Sequence, residues 1–183
     1  MSLLLLGIFL FFAIHVVSST PLKPTLQKRF SEKTYKAGFA LVSLVGLLLI
    51  IFGKANAPFE PIWNGLPQIR VLALPFMWLS FILLPAANMK GNVKRFTRHP
   101  MLWGIVFWSG VHLLLNGDLA SILLFGSFFI YSLFAMVSQN LRGAEKQKHK
   151  APLKNDIIVV VAGSSVFFAV LFLHGALFGV PLW

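Results

Sequence analysis

Residues 101–138, MLWGIVFWSGVHLLLNGDLASILLFGSFFIYSLFAMVS, hold two apolar runs separated by a three-residue polar turn. Neither Met101–Leu115 nor Leu119–Ser138 contains a Lys, Arg, Asp or Glu. Crossing a bilayer's hydrocarbon core takes about 20 mostly apolar residues in a helix. With only Asn116-Gly117-Asp118 between them, the two runs fold back on each other as a helical hairpin. Gly117 is expected to take a positive φ in the turn, and Asp118 to cap the second helix. The first run is short for a full crossing, so a re-entrant pair is the alternative. Full crossing is the expectation, with the first helix beginning inside the interface.

Four more apolar runs flank this hairpin, at about 2–19, 37–52, 69–87 and 157–178. The third of them contains Pro75, with Pro85 near its end; membrane helices tolerate proline and bend at it. The expected fold class is therefore all-α: one polytopic integral membrane helical bundle of six transmembrane helices over 1–183. Composition agrees, with 57% hydrophobic and 11% charged residues and a mean hydropathy of +0.81. A soluble domain carries about 25% charged residues. A net charge of +11 does not indicate a nucleic-acid partner, because the charges sit in short clusters between apolar runs. The first run has no Lys or Arg ahead of it, unlike a secretory leader, and is expected to stay as a helix ended by Pro21 and Pro24.

The clusters set the expected orientation. Lys23 to Lys36 follow the first run, Lys90 to Arg98 the third, and Arg142 to Lys154 the fifth. Of the 16 Lys and Arg, only Lys54 and Arg70 fall on the other side. Basic loops face the cytoplasm, which puts both termini on the non-cytoplasmic side. These loops also hold anionic headgroups, at about 1 kcal/mol per residue. The opposite loop, Ala55 to Pro67, has three prolines with Phe59, Trp63 and Leu66. It reads as an interfacial anchor, or as a lid over a cavity. Gly175 and Gly179 have the spacing of a helix-packing pair.

Candidate chemistry rests on histidine. Without cysteine, thiolate sites and disulfides are excluded. Asp and Glu are missing from the interior of every run, which argues against a proton-driven transporter and a carboxylate-bridged metal pair. His15, His99, His112 and His174 lie on or beside apolar runs, while His149 lies in a basic loop. Imidazole is the usual axial ligand of haem iron. Ser109 and Asn116 flank His112 by one turn on the same face, and Ser18 and Ser19 follow His15. Either set is expected to hold one ring nitrogen and leave the other for a metal. By helical rise, His15 lies about 6 Å from the cytoplasmic end of its helix and His112 about 16 Å from Met101. A His15–His99 pair matches better in depth. With either pair, Arg98, Arg95 or Lys94 would meet haem propionates at the cytoplasmic side. Arg98-His99-Pro100 also reads as a helix start, because proline suits the first helical position.

The run Thr97-Arg98-His99-Pro100-Met101-Leu102-Trp103-Gly104, with Trp108, His112, Asn116 through Ser121 and Leu124 through Ser127, resembles the core of the NnrU family. His15, Tyr35 and Leu41 through Leu44 are similar to that family's first third. The resemblance implies a bacterial inner-membrane protein associated with nitrite and nitric oxide reduction, with respiratory or denitrification enzymes as partners beside the lipid bilayer. The chain is also similar to the plant 15-cis-zeta-carotene isomerase, a haem-dependent membrane enzyme. That similarity implies haem b with His15 and His112 as the iron ligands. The isomerase has a cysteine one turn before the second histidine, where this chain has Ser109. Arg98-His99-Pro100 with Gly104 further resembles small membrane methyltransferases that use S-adenosylmethionine; those carry paired glutamates, and here Glu145 stands alone among lysines. Three functions follow as expectations: a haem protein, a methyltransferase or isomerase of a lipid or isoprenoid, and a non-enzymatic assembly or sensing subunit for a respiratory complex.

Overall fold

A computed structural model describes residues 1–180 and Leu182. Its helices are α1 (Ser2–Ser18), α2 (Leu22–Arg29), α3 (Glu32–Ala55), α4 (Arg70–Ala86, entered by a 3₁₀ turn at Pro67–Ile69), α5 (Val93–Phe96), α6 (Pro100–Leu115), α7 (Leu119–Leu141) and α8 (Leu153–Phe178). No strand occurs among the described residues. All six apolar runs are helical, within a few residues of their expected limits. The fold is an all-helical bundle of membrane type.

Length divides these helices. α3, the Pro67–Ala86 stretch, α7 and α8 are long and apolar enough to cross a bilayer unaided. α1 joins them only if it is counted with α2 as one bent span. α6, with 16 residues, rises about 24 Å against a hydrocarbon core of about 30 Å. By length the count is thus four to five spans, where six were expected. α2 turns 89° away from α1 and carries Lys23, Lys28 and Arg29 within one short helix. Three cations in eight residues do not enter hydrocarbon.

The helix ends form two layers. At one end, Ser138 of α7 donates to the Ser19 carbonyl (2.6 Å), and Gln147 reaches the Lys94 carbonyl through its backbone N–H (3.0 Å). Asn92 binds both the Ala151 backbone and the Asp156 carboxylate. The three basic clusters are thereby gathered at this end. At the other end, the Ala55–Pro67 loop folds over the α6–α7 turn. Ile62 N–H donates to Gly117 O, Leu66 N–H to Leu114 O and Leu119 N–H to Glu60 O, each at 2.8 Å. The loop is a clasp on the hairpin.

Apolar area cannot drive helix association in lipid, so close backbone approach has to. α1 and α3 do this through three glycines. A Cβ at Gly7 would lie 2.6 Å from Ile50 N, one at Gly46 2.8 Å from Phe11 N, and one at Gly53 against the Leu4 backbone. α4 packs between α6 and α8 by the same device. Ser80 donates to the Gly104 carbonyl (2.7 Å), and a Cβ at Gly163 would sit 2.7 Å from the Phe81 carbonyl, which Pro85 leaves without its helical donor. Gly179, expected to pack, instead ends α8 with φ 72°, the left-handed stop that glycine favours. Large apolar side chains point outward: Phe9, Val71, Ile130 and Phe172 are each at least 67% exposed, as lipid-facing positions are.

Candidate functional site

His15 lies in the last turn of α1, and its Nδ1 is 2.6 Å from the Phe11 carbonyl. His112 lies in the last turn of α6, and its Nδ1 is 2.7 Å from the Trp108 carbonyl. A carbonyl oxygen only accepts, so in each ring Nδ1 carries a hydrogen, and in the neutral imidazole Nε2 then keeps its lone pair. The two imidazoles are thus prepared alike, each tied to the carbonyl four residues back on its own helix. The serines and asparagine expected to hold them do other work. Ser18 donates to the His15 carbonyl, Ser109 to the Ile105 carbonyl and Asn116 to the His112 carbonyl. The backbone wins because a histidine's Nδ1 reaches the preceding turn of its own helix without leaving a staggered rotamer.

Aromatic rings connect the two sites. His15 stacks on Phe11 at 4.1 Å, Phe11 touches Phe128 at 5.5 Å, Phe128 meets Trp108 edge-on at 5.4 Å, and Trp108 lies 5.4 Å from His112. His112 also stacks on Phe125 at 4.5 Å. α7 is the common wall, supplying Phe125, Phe128 and Tyr131. The Tyr131 hydroxyl bonds Ser19 Oγ (3.0 Å) and donates to the His15 carbonyl (3.2 Å), fixing the end of α1. Sequence reading did not single out Phe11, Phe128 or Tyr131, and took Phe125 only as part of the Leu124–Ser127 stretch. Phenylalanine is so common in this chain, with 19 copies, that no single one stands out.

Three imidazoles meet α7 at three levels: His112 at Phe125, His15 at Tyr131 and His99 at Asn140. At 1.5 Å per residue these levels are separated by about 9 and about 14 Å. His99 is buried, with Nε2 3.0 Å from Asn140 Oδ1. Arg98 donates to the same oxygen at 3.1 Å, so Arg98 and His99 jointly anchor α6 to the end of α7. His174 binds the Val180 carbonyl through Nδ1 (2.7 Å). No group of three or more His, Asp or Glu able to hold a metal ion occurs among the described residues.

Pro100 opens α6 as expected, with His99 as the non-helical residue before it. Asp118 caps α7, accepting from Ser121 N–H at 3.0 Å. Gly117 is not in the positive-φ region, contrary to expectation. It is needed because the Trp63 carbonyl lies where a Cβ would be. Burial would raise the Asp118 pKa, but hydrogen bonds from Ser121 and Lys54 and the Lys54 charge hold it below the usual carboxylate value.

A family model described as NnrU protein matches residues 3–182, nearly the whole chain. The chain belongs to the NnrU family. No curated protein and no solved structure matches it. In this NnrU protein the donor set suits haem iron, since two tethered imidazoles each keep Nε2 free in an apolar aromatic setting. The packing does not fit one iron shared between them, because Phe11, Phe128 and Trp108 fill the path from one ring to the other. The apolar cavity beside Trp108 and Phe128, between α4, α6 and α7, has a volume of about 190 Å³. Cofactor pockets take about 300–1,000 Å³.

Proposed function

We propose that this NnrU protein is a haem-binding protein of the bacterial inner membrane that supports nitrite and nitric oxide reduction, with His15 and His112 as candidate ligands of haem b. The observation that carries the reading is the matched tether of the two imidazoles, which presents two unprotonated Nε2 atoms to one aromatic cluster. The chain's own residues orient the imidazoles, exclude water with Phe11, Trp108, Phe125 and Phe128, and fix α1 through Tyr131. Because these rings are packed together, ligation by both histidines requires the cluster to part.

In this reading the whole chain is one transmembrane domain. Six crossings are favoured by the alternation of helix ends between the two layers, with α6 held through its neighbours α4 and α7 and completed by the 97–100 entrance. Collection of the basic clusters at one end favours that end as cytoplasmic, leaving both termini outside. The methyltransferase reading is weaker, since Glu145 pairs with Lys148 (2.9 Å) in the exposed loop and Arg98 and His99 are engaged by Asn140. An isomerase resembling the plant enzyme would have to work without the thiol that Ser109 replaces.

The test is the absorption spectrum of full-length protein purified in detergent from haem-replete cells. A Soret band that shifts or weakens in both His15→Ala and His112→Ala is expected. Colourless wild-type protein, or a band indifferent to both changes, would refute haem ligation. Normal nitrite and nitric oxide consumption in a deletion strain would remove the metabolic assignment.

A further inference from the structure

A pocket of about 250 Å³ opens in the elbow between α1, α2 and the first turns of α3. It is lined by Ser18, Lys23, Gln27, Tyr35, Lys36 and Phe39. Lys23 and Gln27 stand four residues apart on α2 and so share a face. Lys23 has no acidic partner among the described residues. Lys36 pairs with Glu32 at 2.6 Å, and its ammonium has two further hydrogens to donate. The Tyr35 hydroxyl is shut off from solvent and has no hydrogen-bond partner, an arrangement that proteins normally avoid. Phe39, at the inner side, packs 5.1 Å from His15.

Two lysines, a glutamine and a tyrosine lining one small pocket suit an anion with several acceptor oxygens. Depth narrows the choice. The pocket lies where the apolar α1 ends and the chain turns 89° into the basic α2, and a change from apolar to basic sequence is what the headgroup level of a bilayer selects. Leu22 and Phe30, at the two ends of α2, are 56% and 48% exposed and offer apolar surface beside the pocket for acyl chains. We propose that this elbow is a specific site for the phosphate of an anionic glycerophospholipid. The proposal does not depend on haem.

The experiment is calorimetric titration of the detergent-purified full chain with short-chain phosphatidylglycerol, short-chain phosphatidylcholine and inorganic phosphate. The double variant Lys23→Gln/Lys36→Gln is expected to weaken phosphatidylglycerol binding at least tenfold, and Tyr35→Phe several-fold. Lys28→Gln/Arg29→Gln, on the same helix but outside the pocket, is expected to stay within twofold of wild type. Matching thermal melts would show that the exposed substitutions leave the fold intact. Equal losses in the two double variants would overturn the proposal in favour of diffuse surface charge. Inorganic phosphate or phosphatidylcholine binding as tightly as phosphatidylglycerol would overturn it as well, as would no binding at all.

Discussion

Lys54 Nζ lies 2.9 Å from Asp118 Oδ1, joining the end of α3 to the start of α7. Among the described residues it is the only ion pair linking segments distant in sequence. The same carboxylate oxygen caps α7, so one group serves two contacts. Asp118→Ala is expected to lower stability by about 1–3 kcal/mol, combining a lost cap with a weakened cross-link. A melt unchanged from wild type would contradict this.

The pH dependence of that contact has a definite sign. A carboxylate held below its ordinary pKa contributes stability above the unfolded value, near 4, and loses it as pH falls through the folded value. The Asp118 contribution is therefore expected to be flat from pH 5 to 8 and to fade in stronger acid. Comparing wild-type and Asp118→Asn melts across that range measures it. A difference that grew with rising pH between 5 and 8 would contradict the assignment.

Contact between α1 and α3 depends on absent side chains. Gly53→Ala and Gly46→Val are each expected to destabilise by about 1–3 kcal/mol, the usual range for overpacking. Gly38→Ala is the control. Nothing lies within 4 Å of a Cβ there, and alanine in a helix gains about 0.5–1 kcal/mol over glycine. Equal effects at all three positions in a detergent melt would mean that the helices do not meet as described.

Arg98, His99 and Asn140 form a joint between α6 and α7. His99→Ala and Asn140→Ala are expected to destabilise by similar amounts and to be non-additive, with a coupling of about 0.5–3 kcal/mol. Neither should move a Soret band if His15 and His112 hold the iron. Loss of the band in His99→Ala with the fold retained would transfer the ligand role to His99.

If packed rings are the barrier to haem, trimming one should lower it. Phe128→Ala is expected to raise haem occupancy on reconstitution, read as the Soret-to-protein absorbance ratio, at some expense in thermal stability. Lower occupancy with an intact fold would make Phe128 part of the haem contact instead of an obstacle.

Much of the fold was legible because membrane helices are dictated by composition. The apolar runs, the helix start at Pro100 and the cap at Asp118 all follow from residue chemistry alone. The number of crossings was less so, since α6 falls between a short span and a partial one. α2 and α5 escaped notice because short basic helices carry no apolar period. The histidine tethers were missed for a different reason: the backbone carbonyl of the preceding turn competes with every nearby hydroxyl, and no sequence pattern marks it. Gly7, Gly46 and Gly53 lie on two helices, and only their pairing in space gives them meaning.

The three-glycine crossing sets the mechanical character of the bundle. Backbones interlocked that closely resist sliding, so α1 and α3 behave as one plank. The edge of that plank toward α7 is fastened by the Lys54–Asp118 ion pair, the Tyr131 and Ser138 hydrogen bonds and the side chains packed around Leu4, Ile50 and Leu124. Any parting of the rings around His15 therefore falls on the α1–α7 side, where side chains meet, and not on the α1–α3 side, where backbone meets backbone.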